Sequence, residues 1–268
     1  MIRRLVVFLG SFVGHGLFVV AVAVAQTPAE KGLDIASKGA EREAGYGDST
    51  AEGEMILRDA GGQESQRRFR SSSLEMTGDG DRTLMVFEWP ADIDGTALLT
   101  HAHKTGDDDQ WLYLPALKRV KRISSSNRSG SFVGSEFAYE DLVPAEVEKY
   151  TYWYLYEEPC PPDPLVTCHV YERRPTGQDS GYTRQVVWRD TEAYRIRQIE
   201  YYDRREERLK TLVIDGYALY EDRFWRPARM EMVNHLNGKS TVMNWSDYRF
   251  ATGLGEQDFT TRALERTR

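Results

Sequence analysis

The sequence predicts a mainly β, α+β fold: an antiparallel meander of about twelve strands closing toward a barrel, with helical segments laid over one face. Three observations carry this. From Ser49 onward the chain falls into short period-two stretches rich in Thr, Val, Tyr, Phe and Trp, parted by turn clusters such as Asp59-Ala60-Gly61-Gly62 and Gly78-Asp79-Gly80-Asp81. Several stretches are apolar on both faces, as where Met85, Phe87 and Trp89 alternate with Leu84 and Val86. A sheet with one wet face alternates cleanly, so something must cover the second face here. Finally, the rhythm stops between Ser124 and Lys149.

Taken in order, Met1-Ile2-Arg3-Arg4, the apolar run Leu5 to Val24 and the small-residue end Ala23-Val24-Ala25 read as a cleaved secretory signal over residues 1–25. Gly10, Ser11, Gly14, His15 and Gly16 interrupt the run, which argues against a retained membrane anchor. Residues 26–268 then read as one domain, with no linker, repeat or composition shift dividing them. Pro28 to Glu43 reads as an amphipathic helix with a thin apolar stripe at Leu33, Ala36 and Ala40. Strands are expected near 49–58, 64–76, 82–89, 95–103, 110–123, 150–157, 166–173, 182–189, 194–202, 207–216, 222–234 and 239–249. Between them, 131–143 reads as a loop and short helix whose Phe132, Val133, Phe137 and Leu142 need an apolar surface to pack on, with Glu140-Asp141 favouring the helix start.

The chain carries 35 basic and 42 acidic residues, a formal net charge of −7; without Arg3 and Arg4 the basic count falls to 33. Nucleic acid is therefore excluded as a partner. Export to an oxidising compartment makes a local disulfide the natural state of Cys160 and Cys168, the chain's two cysteines. In 110–123, Trp111 and Tyr113 oppose Leu112 and Leu114, and Pro115 should interrupt ladder pairing at a rim. Lys118, Arg119, Lys121 and Arg122 then emerge toward water. They suit an anionic headgroup, an acidic partner or a membrane surface, and equally a charged edge strand that resists unwanted pairing.

The segments Gly95-Thr96-Ala97-Leu98-Leu99-Thr100-His101, Asp107 to Val120 and Gly134-Ser135-Glu136-Phe137-Ala138-Tyr139-Glu140-Asp141-Leu142 resemble the bacterial outer-membrane lipoprotein-sorting proteins, relatives of the periplasmic carriers LolA and LolB. The resemblance covers essentially the whole chain after the signal. It implies a half-open antiparallel β-barrel of eleven to twelve strands with a helical lid or plug, in the periplasm. Members of this branch are often encoded beside RND/MMPL-type membrane exporters, so the resemblance implies such an inner-membrane exporter as partner, transient membrane contact, and a lipid or acylated client.

On this basis Met85, Phe87, Trp89, Leu98, Trp111 and Tyr113 are the expected cavity wall, Phe132, Val133 and Phe137 the plug, and the 124–149 interruption the moving part. The expected activity is non-enzymatic carriage of acyl chains by a monomer needing no cofactor or metal. Two alternatives stand beside it: an adaptor docked on the exporter whose barrel is filled by its own side chains, and a secreted ester hydrolase. For the hydrolase, Ser131 in Gly130-Ser131-Phe132-Val133-Gly134 sits at the wrong position of a nucleophile elbow. Glu88, Glu136, Glu140 and Asp141 show no pairing that would mark glycosidase carboxylates. His101 and His103 share a strand face near Asp107-Asp108-Asp109, but the spacing matches no metal motif and a solvated turn explains the acids.

Overall fold

The structure, a computed structural model, describes residues 26–266; the expected signal sequence, residues 1–25, lies outside them. Helix α1 (Pro28–Glu43) begins at a capping box: the Glu30 N–H donates to the Thr27 hydroxyl (3.2 Å) and the Thr27 N–H to the Glu30 carboxylate (2.8 Å). Its buried stripe is not Leu33, Ala36 and Ala40 but Gly32, Ile35, Ala36 and Gly39; Leu33 is 45 % exposed and Ala40 lies in water. Closeness is the cause. A Cβ on Gly32 would lie 3.0 Å from the Tyr154 backbone nitrogen, and one on Gly39 only 1.5 Å from Arg189 Nη1. No described helix is long and apolar enough to cross a membrane.

The strands follow as β1 (Asp48–Arg58), β2 (Glu64–Leu74), β3 (Arg82–Trp89), β4 (Ala97–His101), β5 (Asp109–Leu114) and β6 (Arg119–Ile123), then β7 (Tyr150–Cys160), β8 (Asp163–Pro175), β9 (Arg184–Asp190), β10 (Ile196–Tyr202) and β11 (Arg208–Asp215). The chain continues through β12 (Ala218–Tyr220), β13 (Phe224–Arg226), β14 (Arg229–Asn234) and β15 (Ser240–Phe250) to the short helix α2 (Thr261–Leu264). Thirteen strands make one antiparallel sheet in the order β6-β5-β4-β3-β2-β1-β15-β14-β11-β10-β9-β8-β7, and β12 and β13 form a separate hairpin. Two expected strands divide. The 110–123 stretch breaks at Pro115, which heads a 3-10 turn closed by Lys118 in a left-handed conformation (φ 46°). The 222–234 stretch breaks at Pro227, which cannot donate to a ladder, and β12 was not expected at all.

The sheet is open, with β6 and β7 as its edges, and it curls. Tyr139 and Asp141 show how strongly. Gln110 on β5 donates to the Tyr139 carbonyl (3.0 Å), while Lys210 on β11 donates to the Asp141 carboxylate (3.0 Å). Seven strand spacings separate β5 from β11, about 34 Å on a flat sheet. Three residues reach about 11 Å. Only a half-closed barrel brings those strands within reach of one short segment.

Each face has its own cover. The concave core includes Met55, Phe69, Met85, Phe87, Leu98, Leu112, Tyr171, Val187, Ile199 and Leu212, with Ile35 and Ala36 of α1 and Phe132 and Phe137 laid upon it. The second apolar face of β3–β5 is covered by the end of the chain: Phe259 and Leu264 pack on Val86, Ala97, Leu99 and Tyr113, with Trp111 at the margin. At the far end of the sheet Cys160 and Cys168 form a disulfide, buried beside Val170, Val186 and Trp188. Replacing both cysteines with Ser should lower the unfolding free energy by about 2.5 kcal/mol, the loop-closure contribution of so short a ring. Urea denaturation under oxidising conditions reads this directly; an unchanged midpoint would mean that the apolar cluster alone holds the hairpin.

Candidate ligand cavity

The concave face has a filled half and an open half. In the filled half, cross-strand register sets Met85 opposite Leu98 and Leu98 opposite Leu112, with Phe87 two residues along from Met85. Phe132 and Phe137, 0 % and 1 % exposed, lie on this surface, and Phe132 stacks on Phe87 at 5.7 Å between centroids. Val133 packs at the margin, its carbonyl accepting from Arg67. Polar contacts fix the same segment: the Glu136 N–H donates to Thr241 Oγ1 (3.0 Å) and Asn234 to the Glu136 carboxylate (2.7 Å).

The open half is floored by the neighbouring strands. Val187 pairs with Ile199, Ile199 with Leu212, and Ile214 with Met230. Ile196, Ile199, Leu212, Ile214 and Met230 line a cavity of about 500 Å³. A second space of about 640 Å³ adjoins it, and Ile196, Ile214 and residues 144–146 line both. The stretch Val143 to Glu148 therefore crosses between the two spaces as a strap. Its ends are fastened. Before it, Asp141 accepts from Lys210, from the Tyr182 hydroxyl (2.8 Å) and from the Ala138 N–H (2.7 Å). After it, Lys149 pairs with Asp108, and near its end the Val147 carbonyl accepts from the Tyr152 hydroxyl (3.0 Å).

A polar row borders the apolar floor: Arg173 pairs across strands with Gln185, Gln185 with Tyr201, and Tyr201 with Lys210. Burial pushes the Tyr182 and Tyr201 hydroxyls far above their ordinary range, so both remain neutral donors. Burial also raises the Glu140 carboxyl against the lowering pull of Ser180 (2.7 Å) and the Gly181 N–H (2.8 Å). On the strap, burial raises Glu146, helped by the neighbouring charges of Asp81 and Glu148. Asp107 and Asp108 instead face Arg128 at 3.6 and 3.2 Å.

None of the six residues expected to form the wall lines either space. Met85, Phe87 and Leu98 are on the concave face but beneath the plug. Trp111 and Tyr113 are on the opposite face under the chain end, because register gives the concave position to Leu112. Trp89 ends β3, 42 % exposed, with the Arg68 guanidinium 5.6 Å from its ring centre. Lys118, Arg119, Lys121 and Arg122 lie on or beside edge strand β6, away from the cavity; Arg122 pairs with Asp109. Sequence patterning missed the floor residues and Arg173. Alternation marks which residues face inward, but the choice between a covered and an uncovered inward position is made by the plug, which binds from another part of the chain.

The alternative chemistries find little geometry. The Ser131 hydroxyl donates to the Ser135 carbonyl (2.6 Å) in a tight turn, and no imidazole among the described residues hydrogen-bonds to it. His101 bonds the Phe259 carbonyl (2.7 Å), His103 bonds Asp79 (2.8 Å), and His235 bonds the Thr211 hydroxyl (2.8 Å). Among the described residues no group of three or more His, Cys, Asp or Glu is arranged to hold a metal ion.

A family model described only as an uncharacterized protein matches residues 79–266. No curated protein matches the chain. Among solved structures, an outer membrane lipoprotein-sorting protein domain from Vibrio parahaemolyticus is 52 % identical with a TM-score of 0.86; the match covers 89 % of this chain and 100 % of that one. A DUF1329 family protein from Desulfovibrio piger is 30 % identical with a TM-score of 0.83 over the same shares. A LolA superfamily protein from Nitrosomonas europaea, 20 % identical with a TM-score of 0.69, again over 89 % and 100 %, shares the fold. With the half-open sheet, the plugged concave face and these matches together, the chain belongs to the family of the lipoprotein-sorting protein domain and the DUF1329 protein, built on the LolA-superfamily fold.

Proposed function

We propose that the protein is a periplasmic carrier that shields an acyl chain in the open half of its concave face during transfer between membranes, with no covalent chemistry. The observation that carries this is the apolar floor of Ile196, Ile199, Leu212, Ile214 and Met230 under a cavity of about 500 Å³. That volume suits a small lipid, within the roughly 300–1,000 Å³ of ordinary ligand sites. Burying a twelve-carbon chain gains about 9 kcal/mol at about 0.8 kcal/mol per CH₂. Losses of motional freedom offset much of it, leaving a reversible affinity. The strap between the Asp141 and Lys149 anchors is the moving part in this reading, rather than the whole 124–149 segment, because Phe132 and Phe137 belong to the permanent core.

Transfer requires a donor and an acceptor. The reading assigns an RND/MMPL-type inner-membrane exporter as one of them, with Lys118, Arg119, Lys121 and Arg122 of the exposed β6 edge as its docking cations or as contacts to anionic lipid. The protein acts as a monomeric single domain over 26–268. The likeness to the Vibrio lipoprotein-sorting protein domain supports a lipid or acylated client.

Ile196→Trp tests the cavity. Ile196 is partly exposed and lines both spaces, so an indole there fills the cavity without disturbing the plug. Titration with an alkyl chain bearing a neutral fluorophore should show saturable binding to the parent protein, weakened about tenfold or more in the variant, with an unchanged melting temperature. An adaptor whose barrel is filled predicts no binding to either protein.

A further inference from the structure

Arg173 is a buried cation that the fold does not neutralise. It is 7 % exposed, on β8, and it lines the cavity of about 500 Å³. Its Nε donates to Gln185 Oε1 at 2.7 Å. Among the described residues, Nη1 and Nη2 make no hydrogen bond and no carboxylate pairs with the guanidinium. Tyrosines surround it instead: its guanidinium carbon sits 4.5 Å from the centre of the Tyr150 ring, and Tyr152 is its cross-strand partner. Aromatic faces stabilise a cation partially and leave its forked donors unused.

Most carboxylates that line the cavity have partners of their own: Asp141 is held by Lys210, Asp108 by Lys149 and Arg128, Asp107 by Arg128, and Glu140 by Ser180 and the Gly181 N–H. Glu146 and Glu148, on the strap, pair with no cation among the described residues, Arg173 included. Among residues lining the cavity, Arg173 is thus a charge with donors to spare. A guanidinium at a cavity wall with its fork unused makes sense when an anion completes it, since a largely buried charge without a partner is unfavourable.

We propose that Arg173 is the headgroup receptor of the cavity. An acyl ligand ending in a carboxylate or a phosphate monoester seats two oxygens on Nη1 and Nη2, the bidentate geometry a guanidinium favours. Its tail runs over Ile199 and Leu212 to Ile214. Ile199 and Leu212 lie two residues along the strands from the row of Arg173, Gln185, Tyr201 and Lys210, and Ile214 lies four, a run of about 14 Å in all. The inference rests on the carrier reading and adds the polarity of the ligand and the direction in which it lies.

Three twelve-carbon probes test it on the purified protein at low salt: dodecanoate, dodecyl phosphate and the neutral 1-monolauroylglycerol, each displacing the neutral fluorescent chain. One anion or both should bind about tenfold or more tightly than the glycerol ester, and the tighter of the two identifies carboxylate or phosphate as the headgroup. In Arg173→Met that advantage should vanish while the glycerol ester binds as before. Arg173→Lys, which keeps the charge and loses the fork, should fall between. The ligand-free melting temperature of Arg173→Met should stay level or rise, because a thioether chain fills the site without a buried charge. Equal affinity for all three probes, or an anion preference that survives Arg173→Met, would overturn the assignment and leave the carrier intact. Failure of every probe to bind would remove both.

Discussion

Lys210→Met should destabilise the protein by about 3–5 kcal/mol, the usual cost of stranding one member of a buried ion pair. The Lys210 and Asp141 side chains are 7 % and 2 % exposed, and their charged atoms meet at 3.0 Å. The ammonium also donates to the Glu136 carbonyl (3.0 Å), so one side chain ties the sheet to both ends of the Glu136–Asp141 stretch. Removing it leaves the carboxylate with Tyr182 and the Ala138 N–H, which do not neutralise its charge. Adding Asp141→Leu should restore a large part of the loss, since a buried pair replaced whole by apolar groups is often nearly neutral. Urea denaturation of the single and double variants measures both. A loss below about 1 kcal/mol for Lys210→Met would show that the pair is not what holds the segment down.

Gly39→Ala should cost about 2–4 kcal/mol, against the sign that helix propensity alone predicts. In an exposed helix interior this change gains about 1 kcal/mol. Here the new methyl would lie 1.5 Å from Arg189 Nη1. Arg189 cannot retreat freely: it is 5 % exposed, Nη1 donates to the Tyr194 carbonyl (2.7 Å), and Nε reaches the Tyr171 hydroxyl (3.3 Å). Either α1 lifts from the sheet or a buried guanidinium loses its partners. Thermal and urea unfolding in an Arg189→Ala background separates the causes. With the guanidinium gone, Gly39→Ala should become neutral or stabilising, and a cost that persists there would place the conflict elsewhere.

These two sites show where a sequence stops speaking. Helix α1 was legible to its end residues, because Pro28 at its start and the amphipathic spacing that follows are local signals. Its buried face was not, because Gly32 and Gly39 carry no hydrophobicity and matter only through the approach of β7 and Arg189. The meander was legible from period-two patterning, and the charged edge from Lys118 to Arg122. The doubly apolar strands correctly required a cover on each face, yet nothing local linked Phe259 and Leu264 to Tyr113, more than 140 residues away. Phe132 and Phe137 read correctly as groups needing an apolar surface. The half of the trough they fill, and hence the half they leave open, depends on long-range anchors such as Asp141 to Lys210. Arg173 was hidden for the same reason: at the end of a strand, beside Arg174, it looks like a solvated charge.

Native mass spectrometry of the protein recovered from the periplasm, followed by solvent extraction of whatever it carries, bears most directly on whether the concave face holds an acyl guest. A carrier should arrive partly loaded, with one small acylated molecule per chain that extraction releases and whose occupancy falls in Ile196→Trp. Bare polypeptide in every charge state, with no uptake after incubation with single-chain lipids, would contradict it.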